Sequence, residues 1–247
     1  MSELDGVMAV WKREFKVFRR ELSRVVSSIA QPIIWLVIFG SGFGGMAVAS
    51  GVNYQSFIFP GIVMMSVLFS SVFYGLYIVW DRKIDVLKAV LVAPVSRISI
   101  FFGKVLGGST DTFIQAGVLL AIGVFLVSYT PMGLLLAILV VVLTSLGFVS
   151  LGLTIGSFFE SLEGFQVIIT FLIFPLFFLS GALFPLSNAP TWLSVVSQFN
   201  PLTYAVDASR FAILGASTMS IYLDLAVIGG FATAMILIGS AAFSRMK

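Results

Sequence analysis

Apolar residues fill most of the chain in long runs, and charged residues gather in a few short ones. The opening segment is the exception. Leu4, Val7, Met8, Trp11, Phe15, Phe18 and Leu22 fall within an arc of about 100° on a helical wheel, with Lys12, Arg13, Lys16, Arg19 and Arg20 beside and behind it. Residues 1–28 are therefore expected to form an amphipathic helix in the headgroup layer, apolar face down and basic side toward anionic lipid. The plainer alternative is a surface helix packed on a neighbour.

Six apolar runs follow, each near the roughly 20 residues that a membrane helix needs. They predict spans at 29–49, 57–80, 105–129, 133–158, 165–186 and 223–243. Pro32 falls in the first turn of the first predicted span, where proline is tolerated. Gly152-x-x-x-Gly156 in the fourth has a spacing that lets helices approach closely. Residues 187–222 hold Trp192, Asn200-Pro201 and Arg210. They are too polar for a span and too apolar for a free loop. Short re-entrant helices at the outer face, covered by protein, are expected there. The fold class is thus an all-α polytopic membrane protein, with residues 1–247 forming one transmembrane domain.

Between the second and third spans lies a single charged island, residues 81–104. It contains Asp81, Arg82, Lys83, Asp85, Lys88 and Arg97. Ile84, Leu87 and Leu91 recur at i, i+3 and i+7, one face of a short helix that Pro94 should end. A short amphipathic helix held between two spans is placed to touch a soluble partner. The alternative is a plain loop whose charges only set topology.

Composition sharpens this picture. The chain is 59% hydrophobic and 10% charged, where a soluble domain carries about a quarter charged residues. Lipid must be its solvent. It has no cysteine and no histidine. That excludes disulfides, thiolate and imidazole metal sites, and Ser-His-Asp or Cys-His nucleophiles. The one Gly-Lys pair, Gly103-Lys104, is followed by Val105, so no P-loop for ATP is recognisable.

The net charge of +3 reflects where the cations lie rather than nucleic-acid binding. Lys12, Arg13, Lys16, Arg19, Arg20 and Arg24 precede the first span. Arg82, Lys83, Lys88, Arg97 and Lys104 sit in the island, and Arg245 and Lys247 follow the last span. With six spans all of these share one side, and only Arg210 falls on the other. The excess of cations marks the cytoplasm, so both termini are expected there, in a multi-pass plasma-membrane protein.

Two stretches carry a resemblance. The first is Phe59-Pro60-Gly61-Ile62, followed by Asp81-Arg82-Lys83, Ala93-Pro94-Val95-Ser96-Arg97 and Gly103-Lys104. The second is Leu179-Ser180-Gly181-Ala182-Leu183-Phe184-Pro185-Leu186, then Pro190-x-Trp192-Leu193 and Asn200-Pro201-Leu202-Thr203-Tyr204-Ala205-Val206-Asp207-x-x-Arg210. Together they resemble the permease subunits of ABC-2 type exporters, most closely the daunorubicin-resistance branch. Nodulation-factor and polysaccharide exporters are relatives of that branch.

The resemblance implies a half-transporter. Two permease chains pair, here as a homodimer, and two separate ABC ATPase subunits dock on the cytoplasmic side. ATP and magnesium bind those subunits, and this chain holds no cofactor. The island becomes a coupling helix. Asp81, Arg82, Lys83, Asp85, Leu87, Lys88, Leu91, Pro94 and Arg97 are its candidate contacts. The family more usually has glycine at the position of Asp85 and an acid at that of Lys83.

Other candidates come from the residues themselves. Asp111 would lie inside the third span, where a carboxylate is costly and often functional. Asp207 and Arg210 are spaced i, i+3 and are expected to pair locally. Phe69, Phe73 and Tyr77 in the second span, with Phe174 and Phe178 in the fifth, are candidates to line an apolar path together with Asp111. Such a path suits a drug-like or lipid-like molecule rather than an ion, which needs a polar lining. A polysaccharide or glycolipid exporter is the alternative within the family. A proton-driven transporter and a non-transporting scaffold are the alternatives outside it.

Overall fold

A computed structural model describes residues 3–43, 53–84, 95–186 and 189–245. Its elements in chain order are α1 (Glu3–Arg20), α2 (Leu22–Phe43), α3 (Tyr54–Phe73), α4 (Leu76–Lys83), α5 (Arg97–Gly123), α6 (Pro131–Phe158), α7 (Leu162–Phe178), α8 (Thr191–Ser197), α9 (Pro201–Leu214) and α10 (Ile221–Ser244). Side-chain oxygens start several of them. Asn53, Ser96, Thr130, Ser161 and Asn200 each accept a backbone N–H from the first turn that follows. Pro131 and Pro201 then occupy the first helical position, where a missing N–H costs nothing.

Among the described residues, five helical segments are long and apolar enough to cross a membrane: Val25–Gly42, Tyr54–Lys83, Arg97–Gly123, Pro131–Phe158 and Ile221–Ser244. The fifth predicted span is shorter than expected. Helix α7 has 17 residues, about 25 Å, and stops at Phe178 because Gly181 takes a left-handed φ of 73°. The first span also differs. Helix α2 starts at Leu22, so Pro32 stands in mid-helix rather than in the first turn. Polar residues before the expected start are tolerated in helix; the Ser28 hydroxyl bonds back to the Val25 carbonyl at 2.9 Å. The amphipathic helix expected over 1–28 correspondingly ends at Arg20.

The described residues of the charged island are mostly helix. Helix α4 carries Asp81–Lys83 and α5 begins at Arg97, so the unassigned connection shrinks from both ends. Helix α5 ends at Gly123, earlier than the predicted 129. Between 187 and 222 two short helices do occur, α8 and α9.

The core sits around α3 and α6, which pack on each other; α6 also packs along α5, α9 and α10. Ile58, Val63, Met64, Val67 and Leu68 are fully buried, as are Val140 and Val149. Glycines set the closest approach. A Cβ on Gly75 would sit 2.1 Å from the Gly152 carbonyl oxygen, and one on Gly156 would sit 2.4 Å from the Gly75 carbonyl oxygen. The Gly152-x-x-x-Gly156 pair thus meets the tightened turn at Tyr74-Gly75 that separates α3 from α4.

Candidate functional site

At the basic end of the bundle, α1 lies along α5. Its buried stripe is Gly6, Val10, Glu14 and Phe18, one residue in four. Gly103 and Gly107 on α5 leave room for it. A Cβ on either would come within 2.6 Å of Val10 Cβ or 2.7 Å of Glu14 Cβ. Flush packing delivers the Glu14 carboxylate to Lys104.

Four charges then converge from three helices. Lys104 Nζ lies 2.7 Å from Asp81 Oδ2 and 3.0 Å from Glu14 Oε1. Arg13 spans the same two acids, at 3.1 Å to Glu14 Oε1 and 3.3 Å to Asp81 Oδ1. The Tyr74 hydroxyl donates to Glu14 Oε2 at 2.9 Å. Lys104 is 0% exposed and Glu14 6%. A buried charge is tolerated only with its partner in place, so the two acids and two bases act as one unit. It ties α1, the end of α4 and the start of α5 around both ends of residues 85–94.

Neighbouring contacts reinforce the clasp. Arg82 donates to the carbonyls of Phe159 at 2.9 Å and Ser157 at 3.0 Å, at the C-terminal end of α6 where carbonyls lack helical partners. Trp11 Nε1 donates to Thr110 Oγ1 at 3.1 Å. The hydroxyls of Ser96 and Ser99 donate to the Glu3 carboxylate and hold it below the usual carboxyl range.

These positions correct several expectations. Asp81 is buried against Lys104, and Arg82, half-buried, is held by the carbonyls at the end of α6. Lys83 is exposed, and Arg97 is exposed while donating to the Ser244 carbonyl at 3.3 Å. Asp85, Leu87, Lys88, Leu91 and Pro94 lie outside the described residues. On α1, Leu4 and Met8 from the apolar arc stay exposed at 75% and 43%. The packing stripe instead runs along one edge of that arc.

Four of the candidate aromatic rings contact one another. Phe69 meets Phe174 edge-on at 5.8 Å, lies 6.3 Å from Phe73, and Phe174 stacks on Phe178 at 6.2 Å. Trp35 of α2, absent from the expected set, joins them through Phe177 at 6.2 Å. Tyr77 turns away, against Tyr74 at 5.3 Å, and its hydroxyl donates to Glu21 at 2.7 Å. Asp111 is buried on α5, next to Thr112, whose hydroxyl lies 3.3 Å from that of Ser71.

The opposite end joins the two stretches that carry the family resemblance. Gly61 presses on Ala182, whose carbonyl would sit 2.3 Å from a Cβ there. Arg210 donates to the Gly181 carbonyl at 3.1 Å, and its guanidinium lies 4.0 Å from the centre of the Phe57 ring. The expected Asp207–Arg210 pair is not made. Asp207 instead accepts from the backbone N–H groups of Thr218 and Met219, at 2.8–3.1 Å, closing the turn before α10. Arg210→Met should lower stability by about 2–3 kcal/mol, through the lost charged hydrogen bond and cation–π contact. Thermal unfolding of the variant beside wild type reads this directly.

Comparison with known proteins agrees with the geometry. The protein-family model described as ABC-2 type transporter matches residues 5–214. A putative transport permease, ycf38, of Cyanophora paradoxa is 32% identical over 84% of this chain and 74% of its own length. Nodulation protein J of Rhizobium leguminosarum bv. viciae is 28% identical over 96% of this chain and 93% of its own. The inner membrane transport permease YadH of Escherichia coli K12 is 29% identical over 94% and 92%. With the family model covering most of its length and permeases aligned nearly end to end, the chain belongs to the ABC-2 type transporter family.

Proposed function

We propose that this chain is the membrane subunit of an ATP-driven exporter that moves a hydrophobic or amphipathic molecule, drug-like or lipid-like, out of the cell. Two copies pair and the substrate leaves along their seam. ATP and magnesium are handled by a separate ATPase subunit that docks on residues 81–97 from the cytoplasm. Both termini face that side, α7 serves as the sixth crossing together with the residues that follow it, and the exposed arc of α1 rests in the headgroups. Helices α8 and α9 re-enter the outer face.

The observation that carries this reading is the four-charge clasp at the root of residues 85–94. A partner shifts a conformational equilibrium only if it binds the two states differently. Movement of that segment is transmitted to α1, α4 and α5, because the wholly buried Lys104 must keep Glu14 and Asp81 beside it. The clasp therefore acts as a stiff coupling rather than as a docking face.

Reconstitution with an ABC ATPase encoded beside it tests this. Substrate should stimulate ATP hydrolysis, and Leu87→Pro should abolish transport while leaving membrane insertion intact. Transport that survives Leu87→Pro, or uphill pumping by this chain alone without nucleotide, would falsify the assignment.

A further inference from the structure

A cavity of about 360 Å³ opens at the basic end of the bundle, beside the joint between α1 and α2. That volume falls within the roughly 300–1,000 Å³ usual for small-molecule sites. Glu21, Phe73, Leu76, Tyr77 and Trp80 line it. Phe73 ends α3 and the next three belong to α4; the spacing 73, 76, 77 and 80 sets them on one face. Glu21 is the residue between α1 and α2. Its N–H donates to the Phe18 carbonyl at 3.2 Å, and its carbonyl accepts from the Val25 N–H at 3.3 Å. One spanning segment begins at Val25 and the next ends at Lys83, so the cavity stands where both leave the hydrocarbon.

Its walls are ring faces beside a carboxylate. The Tyr77 hydroxyl donates to Glu21 Oε2 at 2.7 Å, which fixes that carboxylate next to the ring. Tyr74 packs on Tyr77 with ring centres 5.3 Å apart, and Phe69 on Phe73 at 6.3 Å, so neither ring is loose. Trp80 is 48% exposed, and the indole face attracts cations more strongly than any other side-chain ring. Carboxylate and ring faces both favour a cation. The rings decide which kind. A metal ion demands several oxygen ligands, and a primary ammonium brings three N–H donors that need acceptors. A methylated nitrogen instead lays apolar surface on the rings while its charge meets the acid. An anion would be repelled by Glu21. Arg19 and Arg20, just before it in the chain, are exposed and do not line the cavity.

We propose that this cavity binds a methylated ammonium group, the head of a membrane amphiphile or a free cation of that kind. Glu21 is its counter-ion, and Phe73, Tyr77 and Trp80 are its walls. The inference goes beyond the export reading and does not depend on it.

The test uses the full chain in phosphatidylglycerol nanodiscs, which hold no choline, without ATPase or nucleotide. Three photoreactive decyl probes are compared, with trimethylammonium, tert-butyl and sulfonate heads. The first two match in shape and differ in charge. Each concentration is corrected for partition into empty nanodiscs. The trimethylammonium probe should label peptides carrying Glu21 and Phe73–Trp80, and saturate about tenfold below the tert-butyl probe. The sulfonate should give no saturable labelling. Glu21→Gln should bring the first probe to the level of the second and leave the second unchanged. Trp80→Leu should weaken the trimethylammonium probe by about fivefold, the scale of one cation–π contact. Glutamine still accepts from Tyr77 and Trp80 is exposed, so both variants should fold; thermal unfolding checks this, and the probe comparison in wild type needs neither. Displacement by soluble tetramethylammonium marks a free cation as the occupant, and displacement by phosphatidylcholine added to the disc marks a lipid head. Displacement by neither overturns the proposal. So does labelling unchanged in both variants. Equal saturation by the trimethylammonium and tert-butyl probes also overturns it, leaving an ordinary interfacial aromatic belt. Substrate-stimulated hydrolysis is untouched by any of these results, so the two readings fail separately.

Discussion

Lys104→Met should be among the most damaging single substitutions in this chain, costing about 3–5 kcal/mol of stability. The lysine is wholly buried and holds two acids. Without it Glu14 and Asp81 keep Arg13 as their one cation, which is partly exposed and reaches Asp81 at 3.3 Å. Two controls separate this from a general charge effect. Lys83→Met, two residues beyond Asp81 but exposed, should shift unfolding by less than about 0.5 kcal/mol. Neutralising the acids as well, in Glu14→Gln/Asp81→Asn/Lys104→Met, should restore much of the loss, because no charge is then stranded. Thermal unfolding of the three proteins in one lipid decides the matter. If Lys104→Met melts with Lys83→Met, the clasp is not the coupling described above.

The second large effect is expected at the contact between α6 and the α3–α4 turn. Gly75→Val places a Cβ 2.1 Å from a backbone carbonyl oxygen, and Gly152→Leu places one 2.4 Å from that of Val72. Neither obstacle is a side chain that can rotate away, so whole helices must part. Overpacking typically costs about 1–3 kcal/mol, and here the backbone contact puts the cost at or above the top of that range. Gly229 on α10 has open space around its Cβ position, so Gly229→Ala should be neutral or stabilise by about 0.4–1 kcal/mol. Similar losses at both positions would show that the close approach does not exist in solution.

Much of the helical plan was legible because apolar runs of span length leave few other solutions in lipid. The fourth predicted span, 133–158, falls within two residues of α6, and the glycine spacing at 152 and 156 found its partner. Misreadings arose where polar residues continue a helix. The first span was expected from 29 although the helix already runs through Ser27 and Ser28, and Asp81–Lys83 were read as part of a loop. Charge alone does not reveal whether a residue faces water or an opposite charge from far along the chain. Lys104 pairs with Glu14 at a separation of 90 residues, and no local pattern encodes that. A usable clue did exist: Gly103-x-x-x-Gly107 marks a groove on α5, and Gly6, Val10 and Glu14 form a four-residue stripe that fits it. The aromatic cluster was found from composition of two spans, while Trp35 was missed because it lies on a third. The pairing of Asp207 with Arg210 failed because each had a better partner in the backbone.

The clasp also imposes an order of events during synthesis. Glu14 leaves the ribosome 90 residues before Lys104, which at 5–20 residues per second is about 5–20 s of translation. Throughout that interval the N-terminal helix has no groove to occupy, and its carboxylate must stay hydrated at the membrane surface. Docking can begin only after two hydrophobic segments have been inserted, so a ribosome paused early in the third would leave a nascent chain whose first helix is still open to proteases.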